Sequence, residues 1–282
     1  EGRAFFAGAD IKESGKPPLD PHLPDLIRRI EGSPLIVVAS MHGVSLGGGL
    51  EVALGCHYRL AVPSAWVGLP EGHLGLIPGA GGTQRLPRLT GVNAALMVMT
   101  TGRQIKSTTA NHLGIIDVIQ EGDPKANGIS YAQRLLNEGA PRRAVSELPL
   151  PEPIDWDAEF DATLARSKGQ ISPAWCVRAI EAAYDGDFAA GMKAERQIFF
   201  DLMQTDQRKG MIHAFFSERA VGNLPELKGV APRQLRQIGV IGGGTMGAGI
   251  ATAALLAGLS VHLLEMSPEA GEAARGRIEN NQ

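Results

Sequence analysis

The stretch Ser45-Leu46-Gly47-Gly48-Gly49-Leu50-Glu51 decides the fold class, because it joins an apolar run to a helix. The run before it, residues 35–39, is continuously hydrophobic and rich in β-branched side chains, which favours a strand covered on both faces. The three glycines open a helix that ends near Gly55, and residues 58–62 form the next strand. Strands that alternate with helices in this way predict an α/β fold.

Length and composition set the outer limits of the interpretation. The chain has 282 residues, which exceeds the usual domain size of roughly 100 to 200 residues, so two folding units are expected. Its hydrophobic share of 44% and charged share of 20% are typical of globular proteins. The net charge is −3 and no block of like charge occurs, so the sequence predicts neither a nucleic-acid partner nor an anionic membrane surface. Small-molecule chemistry is favoured.

Cysteine usage and apolar stretches bear on metals, membranes and location. Cys56 and Cys176 are far apart, without a CxxC or a Cys/His cluster, so we expect no metal site and a reducing compartment. The cytoplasm is the first expectation, with the peroxisome as the alternative. In the uncharged stretches, the longest helix that avoids the glycine cluster at residues 242–244 is residues 245–257. Its length of about 20 Å is less than a bilayer core of about 30 Å, so no membrane span is expected.

Two proline-containing segments divide the chain. Residues 140–153 carry prolines between charged residues and are typical of a surface connection. Apolar residues at helical spacing follow over residues 173–221. A second linker, residues 224–234, precedes a strand, a helix and a strand at the end of the chain. We therefore place one domain at residues 1–228 and a second at residues 229–282.

Three motifs in the first domain occur in a characteristic order: Gly8-Ala9-Asp10-Ile11-Lys12, then Ser45 to Glu51, then Leu69-Pro70-Glu71-Gly72 continued by Ile77-Pro78-Gly79-Ala80-Gly81-Gly82-Thr83-Gln84-Arg85. They resemble the enoyl-CoA hydratase/isomerase family, and residues 191–221 resemble the tail of hydratase domains in multifunctional β-oxidation proteins. The resemblance implies a spiral α/β domain of the crotonase type. The family's first strands and helix would precede Glu1, so we expect further N-terminal elements.

Hydration of an α,β-unsaturated thioester requires a base for water, an acid for the α carbon, and donors for the thioester oxygen. Glu51 and Glu71 can supply the base and the acid. Gly48 lies at a helix start, where the N–H groups lack intrahelical partners and the helix dipole is positive, so its N–H suits a developing oxyanion. The resemblance implies that the Ala9 N–H is the second oxyanion donor, that Glu51 and Glu71 share the proton transfers, and that the substrate is a coenzyme A thioester.

Structural roles for the same residues compete with the catalytic interpretation. If Gly48 is the N-cap of its helix, Glu51 falls at N3, where the helix dipole favours a glutamate anyway. The combination of motifs nevertheless favours catalysis. Neighbouring buried carboxyls should have separated pKa values, and we assign Glu71 as the acid and Glu51 as the base. Two carboxylates favour hydration over double-bond isomerisation, which stays open. His57 is interpreted as a packing or capping residue.

The final segment contains a dinucleotide fingerprint, GxGxxG, after a strand and before a helix. Gly242 permits the tight turn, Gly244 lets the backbone approach a pyrophosphate, and Gly247 allows close packing of helix on strand. Glu265 ends the second strand, where it can accept hydrogen bonds from a ribose and repel a 2′-phosphate. NAD is therefore predicted rather than NADP. A membrane GxxxG face and a purely structural turn are the competing interpretations.

This segment resembles the start of the 3-hydroxyacyl-CoA dehydrogenase domain, and its position after a hydratase domain matches multifunctional β-oxidation proteins. The resemblance implies hydration of trans-2-enoyl-CoA followed by NAD-dependent oxidation of the 3-hydroxyacyl-CoA. The dehydrogenase's catalytic residues would lie beyond Gln282, so we expect a C-terminal continuation. The alternatives are another acyl-CoA activity, such as thioester hydrolysis, and a non-catalytic acyl-CoA or NAD binding module. A thiolase partner, a homo-oligomer and the acyl-chain length stay open.

Overall fold

The computed structural model describes residues 2–8, 10–11, 20–222, 224–231 and 233–281. They form two compact units, Glu1–Val221 and Gly222–Gln282. The domain boundary predicted between residues 228 and 229 lies seven residues into the second unit and stays a prediction. Ala9, one of the predicted oxyanion donors, lies outside the described residues.

In the described part of the first unit, the strands form two small sheets. One is parallel with the order β1 (Val38–Met41), β3 (Tyr58–Ala61), β6 (Val118–Ile119). The other has the order β2 (Val44–Leu46), β4 (Trp66–Gly68), β5 (Ile105–Lys106), with β2 and β4 parallel and β4 and β5 antiparallel. Phe6 forms one parallel bridge with Ser45 of β2.

Helices separate and cover these strands, as the α/β prediction requires. In chain order they are α1 (Leu23–Glu31), α2 (Gly48–Gly55), α3 (Gly82–Thr90), α4 (Val92–Thr101), α5 (Ser107–His112), α6 (Pro124–Asn137), α7 (Trp156–Arg166), α8 (Ser172–Glu181), α9 (Phe188–Met203) and α10 (Asp206–Val221). Aspartates start three of them, because the side chains of Asp123, Asp155 and Asp187 each accept the backbone N–H three residues further on. These caps satisfy N–H groups that lack a partner within the helix.

The core of the first unit lies between α2, α3, α4 and α8. Its fully buried side chains include Leu50, Leu54, Leu86, Val98 and Ile180. Helix α2 presents seven buried residues out of eight, which places the start of that helix deep inside the unit. A glutamate on this helix is therefore withdrawn from water by the fold itself.

The prediction for residues 35–39 was wrong about the bounds of the strand, and its two covered faces are confirmed. The strand begins at Val38, because Leu35 lies in a turn whose backbone N–H bonds to the Ser33 hydroxyl at 3.2 Å. Both faces of β1 are covered: Ala39 and Met41 belong to the main core, and Val38 packs on the other face against a second cluster that includes Tyr131 of α6. The Ser40 hydroxyl donates to the Pro124 carbonyl at the start of α6, so a polar contact lines one face of the strand.

The second unit is the predicted strand-helix-strand unit. Its elements are β7 (Gln237–Ile241), α11 (Thr245–Leu256), β8 (Ser260–Leu264) and α12 (Pro268–Asn280), and the two strands pair in parallel from Gln237 with Ser260 to Ile241 with Leu264. The short helical turn Pro225–Leu227 lies in the segment before β7. Across the described ranges, no helix combines the length and apolar character needed to cross a membrane.

Candidate active site

Glu51 occupies the buried side of α2 and is 3% exposed. The helix begins one residue earlier than the sequence suggested: Gly47 is the N-cap, with a φ of 54° that favours glycine, so Glu51 lies at N4 and not at N3. Its carboxylate does not cap its own helix. Oε1 accepts the Ala80 N–H at 2.7 Å and the Gly82 N–H at 2.8 Å, at the start of α3. Glu51 lies in the first turn of α2, but its hydrogen bonds join a distant turn and not the start of its own helix.

Glu71 lies in the short helical turn Pro70–Leu74 that follows β4. Its carboxyl group packs against the glycine that starts α2, since a Cβ at Gly47 would lie 2.8 Å from Glu71 Oε1. Oε2 is inaccessible to water and has no hydrogen-bond partner within the described residues. A buried oxygen without a partner is costly, and catalytic sites tolerate such groups because the substrate supplies the missing contact.

The pKa values of the two glutamates are raised to different extents. Burial raises the pKa of Glu51, while the N–H groups of Ala80 and Gly82 and the charges of Arg85 and Arg196 oppose this shift. Burial, and then the negative charge of Glu51, raise the pKa of Glu71 well above its usual value. Glu51 therefore ionises first and Glu71 keeps its proton to higher pH, which is the separation that an acid and base pair needs.

Gly48, the proposed oxyanion donor, is the first residue of α2 and is buried. The segment from Phe6 to Gly8 approaches this helix start. A Cβ at Gly8 would lie 3.1 Å from the Leu46 carbonyl oxygen and 3.9 Å from the Gly48 nitrogen, and a Cβ at Gly49 would lie 2.1 Å from the Phe6 carbonyl oxygen. Glycines at these positions permit the close approach of the two backbone segments.

A third carboxyl group, Glu195 on α9, meets the same turn as Glu51 and was not predicted. It is fully buried. Its Oε1 accepts the Gly81 N–H at 2.7 Å, and its Oε2 accepts the Thr83 N–H at 3.1 Å and the Thr83 hydroxyl at 2.6 Å. The only signal in the sequence was its position four residues after Gly191 on a predicted helix. A single glutamate on such a helix is usually exposed to solvent.

His57 packs in the core, as expected. Its Nδ1 accepts the Val37 N–H at 2.9 Å, so Nε2 carries the proton and donates to the Glu31 carbonyl at 3.0 Å. Burial lowers the pKa of His57, which keeps the ring neutral. Among the residues that the structure describes, no group of three His, Cys, Asp or Glu side chains could hold a metal ion.

The glycines of the second unit differ in the space around them. Gly242 has a φ of 86°, in the left-handed region. A Cβ at Gly247 would lie 1.8 Å from the Gly242 carbonyl oxygen, whereas one at Gly244 would meet no heavy atom within 4 Å. The turn is thus tight at Gly242 and Gly247 and open at Gly244.

Glu265 follows β8 and its carboxylate reaches the same turn. Oε1 accepts the Gly243 N–H at 2.6 Å and Oε2 accepts the Met266 N–H at 3.1 Å. The hydrogen bond from Gly243 is the main reason that the pKa of Glu265 is lowered, so the carboxylate is ionised at neutral pH. A negative charge therefore stands beside the glycine turn.

Two known families match this chain, each over a different segment. Residues 1–147 match the family described as enoyl-CoA hydratase/isomerase, and residues 237–282 match the NAD binding domain of 3-hydroxyacyl-CoA dehydrogenase. The peroxisomal bifunctional enzyme of Cavia porcellus is 38% identical over 97% of this chain and 39% of its own length. The human enzyme of the same name is 40% identical over 89% of this chain and 36% of its own length.

A peroxisomal fatty acid beta-oxidation multifunctional protein of Arabidopsis thaliana is 38% identical over 86% of this chain and 35% of that protein. The chain thus spans less than half the length of these relatives. A solved enoyl-CoA hydratase from Bacillus anthracis is 29% identical over 77% of this chain and 76% of that chain, with a TM-score of 0.45.

The names of these relatives specify peroxisomes and give no support to the expected cytoplasmic location. The motifs, the α/β architecture and the match over residues 1–147 lead to one conclusion: the chain belongs to the enoyl-CoA hydratase/isomerase family, and the start of a 3-hydroxyacyl-CoA dehydrogenase NAD-binding domain follows in the same chain.

Proposed function

We propose that the protein hydrates trans-2-enoyl-CoA to 3-hydroxyacyl-CoA and oxidises that product with NAD, as a multifunctional enzyme of fatty-acid β-oxidation. The observation that carries the hydratase assignment is a pair of buried carboxyl groups in different surroundings: Glu51 accepts two backbone N–H groups, whereas Glu71 Oε2 has no partner within the described residues, and burial and the charge of Glu51 raise the pKa of Glu71 well above its usual value. One ionised and one protonated carboxyl group are what the addition of water across a conjugated thioester requires.

In the proposed reaction, Glu51 orients a water molecule and removes a proton from it as its oxygen bonds to C3 of the enoyl group. Glu71 gives its proton to C2, and the electron pair of the double bond forms the new C–H bond. The N–H groups of Gly48 and Ala9 hold the thioester oxygen while it carries enolate charge. The start of α2 supports this role for Gly48, because the positive end of the helix dipole lies there.

The decisive experiment is to incubate the full-length protein with a short trans-2-enoyl-CoA and follow the loss of the conjugated thioester absorbance together with the product. We expect 3-hydroxyacyl-CoA. Release of free coenzyme A without hydration would support thioester hydrolysis instead, and tight binding without turnover would support a binding module. A parallel assay with a 3-enoyl-CoA measures the isomerase activity, for which the residue at position 71 is the main requirement.

The second unit supports NAD as the cofactor. The open space at Gly244 admits a pyrophosphate to the backbone, and the start of α11 supplies N–H groups and a positive dipole end for its charge. Glu265 would accept hydrogen bonds from the adenosine ribose. When bound, NAD would supply the hydride acceptor for the oxidation, and the glycine turn and Glu265 would hold and orient the dinucleotide.

Replacement of Glu265 by Ala is expected to narrow the preference for NAD over NADP, on the order of tenfold or less because solvent screens an exposed charge. The change removes the negative charge that repels a 2′-phosphate and also the acceptor of the Gly243 N–H. Titration of the full-length variant with both dinucleotides measures the effect, with Glu269→Ala, an exposed glutamate in the first turn of α12, as the matched control. If the two variants prefer NAD over NADP to the same extent, Glu265 does not belong to the NAD site.

For the cellular location we propose the peroxisome, since the similar proteins are named for it. A coenzyme A thioester is the proposed substrate. A thiolase partner and a homo-oligomer stay predictions.

A further inference from the structure

The carboxyl groups of Glu51 and Glu195 both accept hydrogen bonds from the short turn before α3. The four consecutive N–H groups of residues 80–83 alternate between them: Ala80 and Gly82 donate to Glu51, and Gly81 and Thr83 donate to Glu195. Because consecutive N–H groups belong to linked, planar peptides, a rotation that moves one pair also moves the other. The position of the Glu51 carboxylate therefore depends on what holds Gly81 and Thr83.

The turn has the freedom to move if that hold is lost. Gly81 has a φ of 102°, and glycine populates several backbone conformations at little cost. The Gly81 and Thr83 N–H groups are buried, so without an acceptor at Glu195 they would leave two unsatisfied donors in the core. We expect the turn to relax towards conformations that satisfy them, which would take the Ala80 and Gly82 N–H groups away from Glu51.

Helix α9 is seated tightly enough to act as the support. A Cβ at Gly191, one helical turn before Glu195, would lie 2.1 Å from the Gln84 side-chain oxygen. The Gln84 amide donates to the Ala179 carbonyl at 2.7 Å and to the Thr83 hydroxyl at 2.9 Å, and that hydroxyl donates to Glu195. The Thr83 hydroxyl thus links Gln84 on α3 to Glu195 on α9, and these contacts hold α9 against the turn.

From this geometry we propose that Glu195 is a positioning residue for the hydration step: it holds the turn of residues 79–83 in the arrangement that places the Glu51 carboxylate for proton transfer. This inference rests on the proposed hydratase function. It adds Glu195 to the residues on which hydration depends, although Glu195 contacts neither the water nor the substrate.

The charged and titratable groups around Glu195 give a second readout. Glu51 on α2, Glu71 in the turn after β4, Cys176 on α8 and the neighbouring Arg196 on α9 interact with it electrostatically. Burial and the charge of Glu51 raise the pKa of Glu195 to about 8. In turn, the charge of Glu195 contributes to the raised pKa of Glu71. Removing that charge should let Glu71 lose its proton at a lower pH.

The test is Glu195→Gln in the full-length protein, assayed for enoyl-CoA hydration as a function of pH. We expect kcat to fall on the order of 10- to 100-fold, the range for a misplacement near 1 Å, with KM nearly unchanged. The alkaline limb of the pH profile should move to lower pH, because the charge of Glu195 no longer helps to keep the proton on Glu71. Binding of a saturated acyl-CoA counts the folded sites, so that kcat refers to those alone.

The matched control is Asp201→Asn, the same acid-to-amide change at an exposed position of α9, which should leave both readouts at the wild-type level. If Glu195→Gln does not fold, Thr83→Val decides the question, because it removes the hydroxyl donor to Glu195 and keeps the backbone N–H; a smaller loss of kcat is expected. Wild-type kcat per folded site in either variant would overturn the inference. A wild-type protein that does not hydrate enoyl-CoA would instead overturn the proposed function, and with it this role.

Discussion

Glu71→Gln in the full-length protein is expected to lower the kcat of enoyl-CoA hydration by about 10² to 10⁴, the usual range for loss of a general acid. The amide has the shape of the carboxyl group but no proton to give to C2. The protein should fold, because Glu71 Oε2 has no hydrogen-bond partner within the described residues that the change could break. Steady-state kinetics with a short trans-2-enoyl-CoA measures the loss.

Glu51→Gln should also lower kcat by about 10² to 10⁴, because it removes the general base. Its amide oxygen can still accept the Ala80 and Gly82 N–H groups, but it cannot remove a proton from water. Glu138→Gln, at the exposed end of α6, is the control for the chemistry of the substitution. A folded Glu51→Gln or Glu71→Gln protein with the kcat of this control would show that the assignment of that residue is wrong.

The pH profile of the wild type follows from the same pair. Activity requires Glu51 ionised and Glu71 protonated, so it should fall at low pH when Glu51 gains a proton and at high pH when Glu71 loses one. Because burial and the charge of Glu51 raise the pKa of Glu71 well above its usual value, the active range should extend further to alkaline pH than an exposed glutamate would allow. Glu71→Gln should remove the alkaline limb from the residual activity.

Gly247→Ala should weaken NAD binding by at least about tenfold. The added Cβ would lie 1.8 Å from the Gly242 carbonyl oxygen, which is a backbone atom and cannot rotate away. Overpacking of this kind costs roughly 1 to 3 kcal/mol even in adaptable cores. The turn has to open to admit the methyl group, and the pyrophosphate-binding N–H groups move with it. Calorimetric titration of the full-length variant with NAD gives the change in Kd.

Two further glycines on the same turn and helix make the test specific. Gly249→Ala adds the same methyl group two residues further along α11, where it meets no heavy atom within 4 Å, so NAD affinity should be unchanged. Gly244→Ala also meets no protein atom. If Gly244→Ala lowers the affinity for NAD, the added methyl group must collide with the bound dinucleotide, as the proposed pyrophosphate contact requires. Wild-type affinity in Gly247→Ala would contradict the dinucleotide site.

Local sequence features accounted for much of the fold and for several positions in the site. Glycine placement indicated where α2, α3 and α11 begin, and the aspartate caps at Asp123 and Asp187 start α6 and α9 as single-residue chemistry dictates. The prediction for residues 35–39 placed the start of the strand three residues too early, because a run of apolar residues reports hydrophobicity without reporting where the pairing with the neighbouring strand begins.

The sequence by itself determined which groups are available: two glutamates beside glycine turns, a helix start at Gly48 and an acidic residue after a GxGxxG turn. Only the tertiary structure decided which groups meet. The Glu51 carboxylate receives N–H groups from α3, 29 and 31 residues away, and Glu195 reaches the same turn from more than a hundred residues away. Spacing along a helix or strand fixes neighbours a few residues apart, whereas burial, and with it the raised pKa of Glu71, arises when distant helices pack and exclude water.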